Sequence, residues 1–188
     1  MSDGRHFHRH NLNITQVEQT FIDAIKEDSE YIKAQIGIDL GAGGGRFSRI
    51  LSEYVERLYS VDVSDEAIAA MHRNLAGLGN VKIIKAPRNA LPFDDSSIDI
   101  VFAANSFHDV PEGYEKEISR VLNKDGRFID LDWKKKETAF GPPVSIRFSE
   151  NDVIGKLEKQ DLILIKKQDL GTHYMLVFSK VKIKSWNP

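Results

Sequence analysis

The sequence predicts a doubly wound α/β fold, and three observations carry that prediction. Short apolar segments alternate with amphipathic segments across residues 36–133. A glycine-rich turn, residues 41–45, follows the first apolar segment. Two strand-like segments, residues 162–170 and 173–181, are separated by one glycine turn. The alternation predicts a mostly parallel sheet with right-handed crossovers, and the last pair predicts an antiparallel hairpin.

Each predicted element has its own local signal. Apolar runs predict strands over residues 36–40, 57–63, 81–85, 98–104, 127–133, 162–170 and 173–181. The run 98–104 is apolar at every position except Asp99, which is typical of a central strand buried on both faces. Residues 123–126 read as a turn, and Ser149 followed by Asp152 predicts a helix start. Other helices are predicted near residue 14, after the glycines, after Ser64 and from Pro111.

Composition limits the chemistry that is available to the chain. Its 188 residues suit one sizeable domain, and its net charge of −2, from 26 basic and 28 acidic residues, does not favour nucleic acid or an anionic membrane as a partner. The absence of cysteine excludes disulfides, thiolate metal sites and cysteine nucleophiles. No apolar run is as long as a membrane span, so we expect a cytoplasmic protein.

The segment from Asp39 to Gly45 predicts a site for a nucleotide-like ligand. Glycine tolerates positive φ and lets the backbone approach a ligand closely, while the next helix offers free backbone amides. A dinucleotide fingerprint that starts at Gly41 fails, because its third glycine falls on Arg46. Asp39 would repel a pyrophosphate at this helix terminus but would attract an ammonium group.

These residues resemble motif I of the class I S-adenosylmethionine-dependent methyltransferases, in which an acidic residue precedes G-x-G-x-G by two positions. Asp39, Gly41, Gly43 and Gly45 match, and the resemblance covers about residues 36–182. It implies a Rossmann-like sheet of seven strands in the order 3-2-1-4-5-7-6 with the last strand antiparallel. It also implies S-adenosylmethionine as cofactor, with Gly41, Ala42 and Gly43 among its contacts.

Two further segments extend the resemblance. Asp62 ends the second predicted strand, where an acidic side chain can accept both ribose hydroxyls, and Val63 would flank the adenine. Residues 91–101 resemble the L-P-F-x-D-x-S-F-D-x-V segment of small-molecule methyltransferases. One departure is that Pro87 stands where an aspartate usually receives the adenine amino group. We therefore hypothesise that Arg88 and Asn89 frame the adenine.

Residues 105–111 follow the fourth strand and resemble the Phe-His-His-Val-Pro stretch of the ubiquinone and menaquinone biosynthesis methyltransferases. The resemblance implies that Asn105 and Ser106 offer backbone carbonyls to the methionine amine and that Phe107 shields the sulfonium. His108 is either a catalytic base or a structural histidine that is hydrogen-bonded within its loop. The predicted reaction is an SN2 methyl transfer, whose rate comes largely from alignment and exclusion of water.

The acceptor is predicted to be a small or planar molecule, because a single domain over residues 1–188 leaves little room for a separate substrate domain. Residues 1–35 would form an N-terminal helical segment and lid, and Trp133 with residues 140–143 would form the opposite wall, unless a partner chain completes the pocket. No metal site is expected, although the alternate histidines in residues 6–10 leave that alternative open.

Two other functions stay open. A non-catalytic subunit of the same fold, which binds the cofactor weakly or serves a partner, is favoured by Pro87. A nicotinamide-dependent oxidoreductase is disfavoured by Asp39, by Arg46 and by the absence of a Tyr-x-x-x-Lys pair.

Overall fold

The computed structural model describes residues 16–27 and 36–180, which form five α-helices, seven β-strands and two short 3-10 helices. The α-helices are α1 (Gln16–Glu27), α2 (Arg46–Leu51), α3 (Asp65–Asn74), α4 (Tyr114–Val121) and α5 (Glu150–Glu158). The strands are β1 (Ile36–Leu40), β2 (Arg57–Asp62), β3 (Val81–Lys85), β4 (Ile98–Ala104), β5 (Leu122–Trp133), β6 (Ile163–Leu170) and β7 (His173–Ser179). The 3-10 helices span Phe107–Asp109 and Val144–Ile146.

All seven strands form one sheet in the order β3-β2-β1-β4-β5-β7-β6. Strands β1 to β5 pair in parallel, whereas β7 is antiparallel to both β5 and β6. The predicted fold class, strand order and antiparallel strand are therefore confirmed. The strand order reverses between β1 and β4, so the carboxyl ends of these two strands open a crevice where ligands bind in such folds.

Apolar layers cover both faces of the sheet. On one face, Ile118 of α4 and Leu157 of α5 belong to a buried cluster with Val101 of β4. On the other face, Phe21 of α1 lies edge-on against Phe102 of β4, with ring centroids 6.3 Å apart. Neighbouring side chains of a strand point to opposite faces, so β4 serves both layers. This is why its sequence is continuously apolar from Ile100 to Ala104.

The start of β5 differs in part from the prediction. β5 begins at Leu122, directly after α4 and five residues before the predicted strand, and Leu122 is fully buried and pairs with Ile98. The next pairs are Arg127 with Ile100 of β4 and with Ser179 of β7, so residues 123–126 have no pairing partner in either neighbouring strand. The Asp125 amide donates to Asn123 Oδ1 at 2.9 Å, so the predicted turn is present as a bulge near the start of β5.

The helix start at Ser149 is confirmed as a capping box. Ser149 Oγ accepts from the Asp152 amide at 3.2 Å, and the Asp152 carboxylate accepts from the Ser149 amide at 2.9 Å. At the other end of the chain, α1 packs on the sheet as described, whereas residues 1–15 of the predicted lid lie outside the described residues. The single domain over residues 1–188 stays a prediction. Among the helices that are described, none combines the length and apolarity needed to cross a bilayer.

Candidate functional site

The turn after β1 brings the ends of β1 and β4 into close contact. Gly41 has a φ of +69°, and a Cβ at this position would lie 2.6 Å from the Ser106 Cβ. Ser106 Oγ donates to the Leu40 carbonyl at 2.6 Å. Gly43 has a φ of +52°, but a Cβ there would meet no atom within 4 Å. Gly41 thus serves close packing, whereas Gly43 leaves open space that a ligand can enter.

Asp62, the last residue of β2, fixes this turn from the neighbouring strand. Its Oδ2 accepts from the Gly43 amide at 2.9 Å, and its Oδ1 accepts from the Ser64 amide at 2.9 Å. The Ala42 amide donates to the Val61 carbonyl at 3.0 Å, which ties the turn to the same strand. Each carboxylate oxygen keeps a further lone pair. Asp62 can therefore hold the turn and still accept hydroxyl groups of a ligand.

Asp39 lies beneath the turn and is almost fully buried. Its Oδ2 accepts from Ser48 Oγ of α2 at 2.5 Å. Burial raises the pKa of Asp39 to about 6, although the hydrogen bond from Ser48 opposes that shift and the nearby charge of Asp62 adds to it. The carboxyl points to the α2 side of the sheet because it precedes Leu40, whose side chain belongs to the opposite layer.

Asn105, directly after β4, is held in an uncommon backbone conformation. Its φ is +55°, and its amide donates to the Leu131 carbonyl of β5 at 2.7 Å. The side-chain Oδ1 is buried and has no hydrogen-bond partner within the part of the chain that the structure describes. A buried acceptor without a partner costs about 1–3 kcal/mol.

A cavity of about 280 Å³ opens above these residues, close to the lower end of the range for small-molecule sites. The predicted residues that line it are Gly41, Gly43, Asp62, Val63, Asn105 and Ser106. Its other lining residues, which no sequence motif assigned to the site, are Leu40, Val61, Ala86, Asp109, Val110, Pro111 and Tyr114. Asp109 to Pro111 belong to the segment 105–111 that resembles the quinone methyltransferases, whereas Tyr114 had no signal in the sequence.

The remaining predicted residues lie around the cavity rather than in its wall. They are Asp39, Ala42, Arg88, Asn89, Phe107 and His108. Arg88 and Asn89 are exposed on the loop after β3. Phe107 is buried against Phe128, with ring centroids 5.5 Å apart, and lines a second cavity of about 220 Å³. The roles proposed for these residues stay predictions.

His108 lies between two carboxylates. Its Nδ1 lies 2.9 Å from both carboxylate oxygens of Asp132, and its Nε2 lies 3.4 Å from Asp109 Oδ2. Burial lowers the pKa of His108, but the hydrogen bond and charge of Asp132 and the charge of Asp109 outweigh burial, so the pKa is raised overall. Because Asp109 lines the cavity, this row of three groups connects the cavity to the end of β5.

Asp130 lies two residues before Asp132 on the same face of β5. Burial, followed by the negative charge of Asp132, raises the pKa of Asp130 well above its ordinary value. Burial and the neighbouring carboxylate thus both disfavour a second negative charge beside Asp132, whose oxygens lie 2.9 Å from His108 Nδ1.

Arg147 holds the segment of residues 134–142 in place. This segment overlaps the wall that was predicted for the acceptor, Trp133 with residues 140–143. The Arg147 guanidinium donates to the carbonyls of Lys134, Lys136 and Pro142 at 2.6–3.1 Å and lies 5.2 Å from the centre of the Trp133 ring. The Trp133 ring therefore packs against the Arg147 guanidinium. Phe140 is 82 % exposed.

No group of three or more histidine, aspartate or glutamate side chains is placed to hold a metal ion within residues 16–27 and 36–180. The alternate histidines of residues 6–10 lie outside these ranges.

Comparisons with known proteins agree with this architecture. Residues 38–130 match the model of the family described as a methyltransferase domain. An uncharacterized methyltransferase of Bacillus subtilis, YcgJ, is 36 % identical over 100 residues, which are 50 % of this chain and 39 % of that protein. The ubiquinone/menaquinone biosynthesis C-methyltransferase UbiE of Citrobacter koseri is 30 % identical over 112 residues, which are 55 % of this chain and 44 % of that protein. The chain thus matches less than half the length of these two relatives.

A solved structure shares both the fold and part of the sequence. The crystal structure of a SAM-dependent methyltransferase from Aquifex aeolicus superposes with a TM-score of 0.77 at 26 % identity, covering 85 % of this chain and 89 % of that one. The match to the family model, the curated relatives and the shared strand order agree with one another. The chain belongs to the class I S-adenosylmethionine-dependent methyltransferases, with the methyltransferase domain of the family at residues 38–130.

Proposed function

We propose that this chain transfers the methyl group of S-adenosylmethionine to a small-molecule acceptor by SN2 displacement. The observation that carries the proposal is the cavity between the glycine turn, Asp62 and Asn105. At one side it offers a carboxylate with free lone pairs, which fits the ribose hydroxyls of the cofactor. Asn105 and Ser106 line another side, where their backbone carbonyls are proposed to accept from the cofactor ammonium.

When bound, S-adenosylmethionine supplies an electrophilic methyl group on a sulfonium, whose sulfur keeps the bonding electron pair as the acceptor attacks. The chain contributes binding, alignment and exclusion of water. The open side of Gly43 lets the ligand approach the backbone. Arg88 and Asn89, on the loop after β3, would frame the adenine from outside, and Phe107 would shield the reacting centre.

His108 is proposed as the base for acceptors that lose a proton. Asp132 orients its Nδ1, and Asp109 extends from its Nε2 to the cavity. A base must be neutral, so the rate should rise as pH passes through the raised pKa of His108. Asp132→Asn removes the contact that raises this pKa. The acidic limb of the pH–rate profile should then move to lower pH, whereas a purely structural His108 predicts no such displacement.

The acceptor class is proposed from relatives. UbiE, one of them, is named as a C-methyltransferase of ubiquinone/menaquinone biosynthesis. We therefore propose a small acceptor. A panel of phenols, quinols and amines, incubated with the protein and methyl-labelled S-adenosylmethionine, tests this directly by transfer of label.

Cofactor binding is tested separately from catalysis. S-adenosylmethionine and S-adenosylhomocysteine should raise the melting temperature, and NAD should not. Asp62→Asn should reduce the shift, whereas Asp65→Asn, which removes an exposed carboxylate three residues away, is the matched control. Binding without label transfer to any acceptor would favour the alternative, a non-catalytic subunit of the same fold. A shift with NAD alone would contradict the proposal.

A further inference from the structure

One hydroxyl group lies at the end of the cavity that faces the loop after β3. Tyr114, the first residue of α4, lines the cavity together with Ala86 and Pro111. Its side chain is buried, and its phenol donates to the carbonyl of Pro87 and, at 3.2 Å, to the carbonyl of Ala90. The phenol thus ties α4 to the loop that follows β3.

We propose that Tyr114 recognises the amino group of the adenine ring, in place of the carboxylate that residue 87 does not supply. This inference rests on the proposed function, because it takes the ribose to lie at Asp62. A base attached to that ribose extends past Val63 towards Ala86 and Tyr114, which line the same cavity.

The chemistry of this end of the cavity favours a planar base with one polar edge. Val63, Ala86, Val110 and Pro111 present apolar surfaces, which suit the faces of a purine. An exocyclic amino group that is buried among them needs an acceptor, because an unpaired buried donor costs about 1–3 kcal/mol. Among the side chains that line the cavity, Tyr114 is the one whose polar atom is hydrogen-bonded to the loop after β3, where the base would lie.

A tyrosine hydroxyl can fill that role while it keeps its present bonds. It has one hydrogen, which the carbonyls of Pro87 and Ala90 share, and two lone pairs, which neither contact uses. Burial, followed by the charge of Glu117, raises the pKa of Tyr114, so the phenol keeps its hydrogen at neutral pH. Tyr114 can therefore donate to Pro87 and accept from a ligand N–H at the same time.

The test compares two ligands by calorimetry. One is S-adenosylhomocysteine, and the other is its analogue S-inosylhomocysteine, in which a carbonyl oxygen replaces the amino group of the base. The native protein should bind the adenine ligand about tenfold more tightly, the value of one net hydrogen bond. Tyr114→Phe should bring the two dissociation constants to within about twofold of each other. Tyr59→Phe, which removes the same hydroxyl away from the cavity, should leave the ratio unchanged.

The ratio separates recognition from a purely structural role. If Tyr114 only tethers the loop, Tyr114→Phe weakens both ligands equally and leaves the ratio as it was, which overturns the inference. Adding Pro87→Asp to Tyr114→Phe supplies a carboxylate and should restore the preference for adenine. If Asn89→Ala, and not Tyr114→Phe, abolishes the preference, the recognition belongs to Asn89 and the inference also fails. If the native protein binds neither ligand, the proposed function itself fails.

Discussion

Replacing Asp39 by asparagine should stabilise the protein at neutral pH and have little effect in acid. The carboxyl is almost fully buried, and burial raises its pKa to about 6 from the ordinary value of 3.8. Asparagine has nearly the same shape and keeps an acceptor oxygen for Ser48 Oγ, which lies 2.5 Å from the native carboxylate. The substitution thus removes the ionisation and retains the hydrogen bond.

The expected magnitude follows from the two pKa values. Between 3.8 and about 6 the unfolded chain has released the Asp39 proton and the folded chain has kept it. The stabilisation from the protonated carboxyl is therefore complete below the unfolded pKa and is lost as pH rises through the folded pKa. The loss is about 1.4 kcal/mol per pH unit, or about 3 kcal/mol in total. The asparagine variant has no such loss.

Urea unfolding of both proteins, followed by circular dichroism from about pH 4 to about pH 7.5, measures this difference. The variant should gain about 3 kcal/mol over the native protein across the series. Asp65→Asn, at a carboxylate that is 79 % exposed, reports the effect of removing one surface charge. If the difference between Asp39→Asn and the native protein does not vary with pH, Asp39 is not held protonated and the reasoning is refuted.

The same variant tests whether Asp39 attracts the ammonium of the cofactor. An ammonium near the carboxyl favours the ionised form, so native affinity for S-adenosylhomocysteine should rise as pH passes through about 6. The asparagine variant should lack that rise. If the affinity of both proteins depends on pH in the same way, the Asp39 charge does not attract the ligand and Asp39 only stabilises the turn.

Two other substitutions test the architecture of the site. Gly41→Ala should lower the free energy of unfolding by about 3 kcal/mol, because the new Cβ would lie 2.6 Å from the Ser106 Cβ and alanine is also strained at positive φ. Gly77→Ala has the positive φ but no neighbour within 4 Å, and it should lower the free energy of unfolding by about 1 kcal/mol. Equal costs in urea unfolding would exclude the contact as the cause. Arg147→Met should make residues 134–142 more sensitive to limited proteolysis, because it removes the hydrogen bonds to their carbonyls. The surface control Arg73→Met should not change cleavage. Unchanged cleavage of Arg147→Met would contradict the anchoring role.

Local signals account for the elements that the sequence predicted well. Each parallel strand carries its own apolar run, and the capping box at Ser149 needs only the residues up to Asp152. The order of the strands depends on pairing between distant residues, so it required the family resemblance. The early start of β5 was missed for the same reason, because it depends on the pairing of Leu122 with the distant Ile98.

The candidate site divides in a similar way. Asp62 and the glycine turn were predictable because their geometry is set by adjacent backbone, and both line the cavity. The position of Asp39 follows from strand alternation, which turns its carboxyl to the face opposite Leu40. Tyr114 was missed because it reaches the cavity only when α4 packs over the loop after β3. No pattern in the sequence around Tyr114 predicts this packing.

The anchoring by Arg147 has a consequence for how this protein can change. Most of its partners are main-chain carbonyls, those of Lys134, Lys136 and Pro142, and a carbonyl is the same whatever side chain accompanies it. The path of the segment is therefore largely independent of the side chains it displays, including the exposed Phe140. Substitutions at exposed positions such as Phe140 can alter what the surface contacts while the backbone keeps its course, whereas Gly141, with a φ of +106° and the Trp133 ring 2.9 Å from where a Cβ would lie, leaves no room for a side chain.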